Sequence, residues 1–273
     1  MILQYGKWRG VIEPDCGCNI TALSCNGEEI LRSPASRDEL FERPCLYGVP
    51  LLLPANRTKD GRFFFCGEEY RLAVNEPARN NHIHGLLKDA PFTVLSVTSD
   101  SLTAQLENTG ELYPFPFIIK STDTLSDSGL TRRLILKNTG KVPMPYTLAF
   151  HTAFAEPDSF CVDLQACCAV DERFIPTGEI LPLTETQALY KHGFSPDGSK
   201  ISGFYTADGH TARIGKFHMT VSEQFDHWVL FNGNGKEGYL CIEPQCGAVD
   251  GLNNGKHRVL QPGDEEEFYL HIG

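Results

Sequence analysis

Apolar and polar residues alternate in short runs along most of the chain, whereas the spacing typical of amphipathic helices is scarce. Gly, Asn, Asp and Pro separate these runs, as at Asn26-Gly27 and Asp208-Gly209, and so predict turns between strands. One short helix is expected around Ser36 to Leu40. The predicted strands are Asn19–Leu23, Arg62–Phe65, Thr93–Val97, Leu102–Leu106, Phe117–Lys120, Thr131–Leu136, Tyr146–Phe150, Cys161–Leu164, Phe217–Val221, Trp228–Phe231, Tyr239–Ile242 and Glu266–Ile272.

Strands at this density predict an all-β protein, organised as a large antiparallel β-sandwich or barrel. No linker, low-complexity tract or internal repeat divides the sequence, so we expect a single domain spanning residues 1–273. The Pro- and Gly-rich stretch 176–203 predicts long surface connections rather than a domain boundary. The segment 232–238 lies between two predicted strands and no helix follows it, so a hairpin connection is favoured over a phosphate-binding loop.

Composition narrows the class of protein further. Hydrophobic residues make up 41% of the 273 positions and charged residues 22%, which excludes a disordered chain. The 24 Lys and Arg residues stand against 35 Asp and Glu, a net charge of −11. Such an acidic chain disfavours nucleic acid and anionic membrane surfaces as partners, and a small neutral or locally neutralised substrate fits better.

The cysteines and the N-terminal segment bear on the cellular compartment of the protein. The chain shows no apolar core of a signal peptide and no run of about 18 apolar residues that would span a membrane. Its ten cysteines are scattered and form no Cys-x-x-Cys motif, which favours free thiols in a reducing cytoplasm over a disulfide framework or a structural zinc site. We therefore expect a cytoplasmic protein without a bound metal.

Two polar segments near predicted strands carry candidate chemistry. Arg57 and its neighbour Asn56 follow the apolar run 49–53; an Arg there can bind a hydroxyl-rich or anionic ligand, or can simply belong to a surface turn. His82 and His84 share one face if the chain is extended. Three interpretations stay open for them: a metal-binding pair, a sugar-contacting or acid/base His, and a solvated loop.

His151 and Glu243 are the other candidates, because each lies within or at the end of an apolar strand. A single His in such a strand is usually a core residue, although burial also tunes its pKa. A carboxylate that closes an apolar strand is costly unless it is paired or functional. Glu243, which Pro244 follows, is therefore the most informative acidic residue of the sequence.

Taken together, these segments resemble the aldose 1-epimerase (galactose mutarotase) family. The resemblance runs in order from about Gly10 to the C-terminal strand, and its motifs are residues 47–57 with 60–63, 81–85, 137–140, His151 and 241–245. It implies a large antiparallel β-sandwich of the galactose mutarotase type and an isomerase that needs no cofactor. The chain departs from the usual His-Gly-Gly at His84-Gly85-Leu86 and from the usual His-Pro-Tyr-Phe at 151–154.

The resemblance implies a role for each matching residue. Glu243 matches the general base that takes the proton of the anomeric hydroxyl, and His151 matches the general acid that protonates the ring oxygen. His84 and Arg57 match residues that bind the sugar, and Asn56 precedes Arg57. The carboxylate that recognises distal hydroxyls has Asp226 as its candidate, which is otherwise a turn residue before a strand.

Three functions follow as hypotheses, and the first is favoured. One is a mutarotase that acts on a free aldohexose. The second is the same chemistry on a phosphorylated or otherwise anionic sugar, for which Arg37, Arg43, Lys59 and Arg71 are candidate cations. The third is a non-catalytic carbohydrate-binding protein. The partner expected in each case is a small-molecule sugar, and an exposed edge strand leaves a homodimer open.

Overall fold

Strands account for most of this computed structural model, which describes residues 1–273. The first half contains β1 Ile2–Tyr5, β2 Trp8–Glu13, β3 Asn19–Cys25, β4 Glu28–Glu29, β5 Leu51–Leu52, β6 Arg57–Lys59, β7 Arg62–Phe65, β8 Glu68–Arg71, β9 Asn81–Ile83, β10 Thr93–Val97, β11 Ser101–Asn108, β12 Phe117–Ser126 and β13 Gly129–Asn138. The second half contains β14 Met144–Tyr146, β15 Leu148–Phe150, β16 Ala153–Ala155, β17 Phe160–Val170, β18 Pro176–Leu181, β19 Ser202–Ile214, β20 Phe217–Val221, β21 His227–Phe231, β22 Tyr239–Cys246, β23 Arg258–Leu260 and β24 Glu265–Ile272. The α-helices are α1 Arg37–Glu42, α2 Glu185–Leu189 and α3 Gly251–Asn254.

One 14-stranded sheet forms the frame, and every strand pair in it is antiparallel. Its main path runs β10-β11-β12-β13-β24-β20-β19-β21-β22-β15-β5, with β16 to β18 joined at its side. A four-stranded sheet, β1 to β4, and three two-stranded ribbons complete the fold. Residues of both larger sheets share one apolar core. The predicted all-β antiparallel architecture is confirmed.

Alternation of side chains explains how the strands face this core. Along β12 and β13 buried residues alternate with accessible ones, as expected for strands with one covered face. β22 is different, because all eight of its residues are buried. Its polar residues Glu243 and Gln245 are thereby carried into the interior, where an unpaired polar group is costly.

The predicted strands all correspond to observed ones, with ends that differ by a few residues; Tyr146–Phe150 divides between β14 and β15. The predicted helix is α1, whose N-terminus is capped where Ser36 Oγ accepts a hydrogen bond from Glu39 N at 3.1 Å. The segment 232–238 connects the antiparallel strands β21 and β22, as predicted.

The interpretation of residues 176–203 as surface connections was wrong in part. The segment contains the strand β18 and the helix α2, which begins with a capping box between Thr184 and Gln187. β18 pairs only with β17 and lies largely exposed, so its sequence lacks the apolar alternation that marks a half-buried strand. None of the helices has the length and apolar character needed to cross a lipid bilayer.

Candidate active site

A cavity of about 400 Å³ opens beside β19, β21 and β22. Five of the six residues predicted from the sequence line it, namely Glu243, His151, His84, Arg57 and Asn56. They come from distant parts of the chain, so the fold brings together what the sequence keeps nearly two hundred residues apart. The sixth, Asp226, lies outside this cavity.

Glu243 and His151 form a buried contact at the floor of this cavity. Glu243 lies in the middle of β22, opposite Val229 of β21, and is 2% exposed. His151 follows β15 directly and is anchored by its backbone N–H, which donates to Pro50 O at 2.9 Å. The distance from His151 Nε2 to Glu243 Oε1 is 3.3 Å. A carboxyl and an imidazole are therefore adjacent and face the same space.

Burial shifts the pKa values of this pair in opposite directions, since it penalises the charged form of each group. It raises the pKa of Glu243 to about 8, with the positive charge of Arg57 opposing the rise, and lowers the pKa of His151 to about 4. Near neutral pH the cavity thus holds a protonated carboxyl beside a neutral imidazole. The two groups carry a single titratable proton between them.

His84 lies next to this pair in a conformation that few non-glycine residues adopt. Its φ is +66°, that of Asn56 is +53°, and its backbone N–H donates to Asn56 O at 2.8 Å. The rings of His84 and His151 meet edge to face, with centroids 5.0 Å apart. Burial, reinforced by His151, holds the pKa of His84 well below its usual range, so His84 is a neutral hydrogen-bonding group.

The left-handed turn at His84 also separates it from His82. β9 ends at Ile83, so the period-two relation expected for an extended His-x-His segment does not hold. His82 lies outside the cavity lining and its Nδ1 contacts Ala73 O at 2.7 Å. Gly85 completes the turn; a Cβ there would lie 2.1 Å from Leu53 O, which only glycine avoids.

Arg57 is held rigidly by Glu76, a residue that the sequence analysis did not identify. Its Nε and Nη2 each donate to one Glu76 oxygen at 2.9 Å, and Nη1 donates to Asn56 Oδ1 at 3.3 Å. The guanidinium also lies 4.9 Å from the centre of the Phe174 ring. Although burial opposes it, hydrogen bonds from Arg57 and Asn81 lower the pKa of Glu76, which therefore stays ionised.

Asp226 is the predicted residue that the structure does not bring to this cavity. It lines a second cavity of about 580 Å³, and its Oδ1 accepts a hydrogen bond from Gly247 N at 2.9 Å and contacts His227 Nδ1 at 2.7 Å. Phe204 and Val229 line both cavities and form the wall between them. The interpretation of Asp226 as a turn residue before a strand agrees with its position immediately before β21.

Cys241 adds a third group that could bind a metal beside His151 and Glu243. Its Sγ, a nitrogen of His151 and an oxygen of Glu243 all lie within 4.8 Å of one another. Burial raises the pKa of the Cys241 thiol well above its usual range, and a metal binds the deprotonated thiol and carboxylate. A cation at this point would have to displace the protons of two groups that burial keeps neutral.

Two further cations of the lining, Arg79 and Lys200, were also not identified from the sequence. Arg79 belongs to a short 3₁₀ turn, residues 77–79, and Lys200 precedes β19 by two residues. Neither lies in a motif, and each reaches the cavity through loop geometry. The only available signal was the charged segment that precedes Asn81 and His82.

Comparison with known proteins relates this chain to one family. The family model described as aldose 1-epimerase matches residues 3–273. The chain is 32% identical over 148 residues to the uncharacterized protein YihR of Escherichia coli K12, covering 50% of this chain and 47% of that protein, and 27% identical over 188 residues to the galactose mutarotase of Sus scrofa, covering 62% and 54%. These alignments thus span about half the length of both relatives.

A solved structure extends the comparison to the complete fold. The crystal structure of a galactose mutarotase-like protein from Clostridium acetobutylicum superimposes with a TM-score of 0.91, at 23% identity, over 100% of this chain and 94% of that one. At this identity the similarity establishes the fold alone. The predicted β-sandwich of the galactose mutarotase type is confirmed.

Proposed function

We propose that this chain, which belongs to the aldose 1-epimerase family, is a cofactor-independent isomerase that interconverts the α and β anomers of an aldohexose. The observation that carries the proposal is the buried contact between His151 Nε2 and Glu243 Oε1 at 3.3 Å on the floor of an open cavity. The anomeric hydroxyl and the ring oxygen are bonded to the same carbon, C1. An acid and a base that serve both oxygens must therefore lie side by side, as these two groups do.

Ring opening moves one proton at each of these two residues. The Glu243 carboxylate takes the proton of the anomeric hydroxyl, and the His151 imidazolium donates a proton to the ring oxygen as its bond to C1 breaks. The product is the open-chain aldehyde, beside a protonated carboxyl and a neutral imidazole. Rotation about the C1–C2 bond then presents the other face of the aldehyde to the C5 hydroxyl.

Ring closure reverses these transfers. His151 takes the proton of the C5 hydroxyl as its oxygen attacks C1, and Glu243 returns a proton to the new anomeric hydroxyl. The pair carries one proton before and after each step, so no proton has to be exchanged with solvent. The neutral form of the pair, which burial favours, is the form that closes the ring, while the positive charge of Arg57 favours the carboxylate that opens it.

Arg57, His84 and Asn56 hold the sugar. Arg57 is fixed by Glu76 along its Nε–Nη2 edge, so its Nη1 side remains to contact sugar hydroxyls. His84 stays neutral and has a buried Nδ1 without a protein partner. The backbone hydrogen bond between His84 and Asn56 ties these two binding residues together.

The test is NMR exchange between the α and β anomers of glucose and galactose, with the uncatalysed rate subtracted. We expect the parent protein to accelerate exchange and Glu243→Gln to lose about 10²–10⁴-fold of that acceleration, the range typical of one positioned acid or base. Glu29→Gln, which removes the same charge from an exposed strand, is the matched control and should leave the rate unchanged. Sugar binding without acceleration in the parent would instead support the non-catalytic binding protein.

A further inference from the structure

Three cations line the cavity, although the chain as a whole is strongly acidic. Arg57, Arg79 and Lys200 belong to its lining, Lys200 as an exposed residue, while the net charge of the chain is −11. The carboxylate that contacts the two arginines is Glu76. With Glu243 of the lining, two carboxyl groups stand against three cations at this site. Cations thus outnumber carboxyl groups here, the reverse of their ratio in the whole chain.

Lys200 has no ionic partner, and its backbone is fixed. Its ammonium has no carboxylate oxygen within 4 Å. Buried Asn232 holds the segment from both sides: its Oδ1 accepts from Ile201 N at 2.8 Å and its Nδ2 donates to Ser199 O at 2.9 Å. Ser202, Gly203 and Phe204 also line the cavity, whereas Ile201 is buried in the core.

Arg79 is presented to the cavity in a similar way. Its guanidinium lies 4.7 Å from the centre of the Phe174 ring, which Arg57 also contacts, and only its Nη1 is bonded, to Glu76 at 3.1 Å. Arg173 fixes the backbone, since its Nε donates to Arg79 O at 2.8 Å. Two guanidinium groups beside one ring and one carboxylate repel each other in part, and an anionic ligand would relieve that repulsion.

Apart from Glu243, the lining offers no carboxylate to the hydroxyls of a sugar. Glu76 is engaged by two arginines, and Asp226 lies in the second cavity, so neither carboxylate is free to accept hydrogen bonds from hydroxyls of a sugar in this one. Of the cations considered from the sequence, Arg37, Arg43, Lys59 and Arg71, none lines the cavity. The cations at the site are different ones, and loops supply Arg79 and Lys200.

We propose that Arg79 and Lys200 form an anion subsite and that the substrate is an aldose carrying a phosphate, sulfonate or carboxylate group remote from C1. This inference rests on the proposed mutarotase function and specifies its substrate class. C1 lies at the Glu243–His151 pair, and the anionic group is bound by the cations of the same wall. Arg and Lys bind all three anions through charge-assisted hydrogen bonds, so the shared chemistry is that of an oxyanion.

The experiment compares anomer exchange of glucose, glucose 6-phosphate, 6-deoxy-6-sulfoglucose and glucuronate, each corrected for its own uncatalysed rate. We expect kcat/KM for at least one anionic sugar to exceed that for glucose by about tenfold or more, the scale of one charge-assisted hydrogen bond. This preference should fall as salt is added, whereas the rate with glucose should not. The three anionic sugars identify which oxyanion the subsite accepts.

Lys200→Gln and Arg79→Gln test the assignment of the subsite. Each should lower kcat/KM for the preferred anionic sugar by about tenfold, chiefly through KM, and leave that for glucose within about twofold. Lys120→Gln, which removes one positive charge from the exposed side of β12, is the matched control and should change neither. Thermal unfolding of each variant excludes misfolding as the cause.

The outcomes separate the two proposals. Equal rates with neutral and anionic sugars, or a preference that Lys200→Gln and Arg79→Gln leave intact, overturn the anion subsite and keep the mutarotase. No acceleration with any sugar overturns the mutarotase; the subsite then stands only if glucose 6-phosphate binds in an NMR titration and both variants weaken that binding.

Discussion

Two buried ionisable pairs in this protein have opposite designs. Arg132 and Asp123 face each other across β12 and β13, and both are almost fully buried. The Arg132 guanidinium donates to both Asp123 oxygens, at 2.7 and 3.0 Å, and to the carbonyls of Cys18 and Val49 at 2.6 and 3.1 Å. It thereby ties two strands of the large sheet to the segments before β3 and β5.

His151 and Glu243 are buried to a similar extent, but they share one contact at 3.3 Å. His151 Nδ1 has no partner, and the pair opens on a cavity. Burial favours the neutral form of both groups, whereas Asp123 raises the pKa of Arg132 in spite of its burial and keeps it charged. A fully satisfied pair stabilises the fold, and an incompletely satisfied pair beside a cavity has protons available for chemistry.

The largest effect is expected where the second pair is broken. His151→Gln should lower the rate of anomer exchange by about 10²–10⁴-fold, and His151→Gln combined with Glu243→Gln should lower it little further. The reason is that either change alone prevents the coupled transfer of two protons. NMR exchange rates of the single and double variants check this, and losses that multiply would contradict a pair that acts as a unit.

Breaking the first pair should instead reduce stability. Arg132→Met leaves the Asp123 carboxylate buried without its partner, which typically costs about 3–5 kcal/mol of unfolding free energy. Adding Asp123→Asn removes the stranded charge and should restore part of that loss. Urea unfolding measures both variants. If Arg132→Met were as stable as the parent protein, the structural role assigned to this pair would be wrong.

The sequence predicted one of these designs better than the other. Glu243 and His151 could be found because a carboxylate and an imidazole in apolar strands violate the usual pattern, and because they match family motifs. Asp123 and Arg132 lie in strands with the usual alternation of buried and accessible residues, so the sequence pattern does not mark them. Their pairing follows only from the register of β12 and β13. The strands themselves were predictable from local alternation.

Loop geometry explains what the sequence could not supply. Arg79 and Lys200 reach the cavity from segments outside the strands that carry no periodic signal, and the role of Glu76 depends on Arg57, which is distant in the chain. The left-handed turn at His84 removed His82 from the site, although strand periodicity would have paired them. Asp226 immediately precedes β21, which lines the first cavity, but it lies on the other side of the wall formed by Phe204 and Val229.

Stability at different pH values offers a subtler test of the comparison. A carboxyl whose pKa rises from 4.5 to about 8 on folding stabilises the protein fully below pH 4.5 and loses that contribution as the pH rises to 8. Glu243→Gln should therefore become more stable relative to the parent across this range, by at most about 1.4 kcal/mol for each pH unit. Urea unfolding at pH 5 and pH 8 measures the difference.

The matched control for that measurement is Glu29→Gln, which makes the same substitution at an exposed position of β4. His151 acts in the opposite direction: its lowered pKa stabilises the fold above pH 6.5, and this contribution is lost as the pH falls towards 4. A stability difference between Glu243→Gln and the parent that did not grow with pH would show that Glu243 is already ionised in the folded protein.

The smallest expected effect is the pH dependence of the rate itself, because the neutral range lies on its plateau. Proton transfer needs one proton in the His151–Glu243 pair. Below about pH 4 a second proton removes the base, and above about pH 8 loss of the proton removes the acid. In both ranges kcat/KM should fall about tenfold per pH unit. Arg132 stays charged throughout and contributes neither limb. The measurement uses a neutral sugar, so that no charge on the substrate titrates. With these pKa values the His151–Glu243 pair loses its proton well below pH 10. A rate that stayed constant up to pH 10 would therefore mean that another group donates the proton.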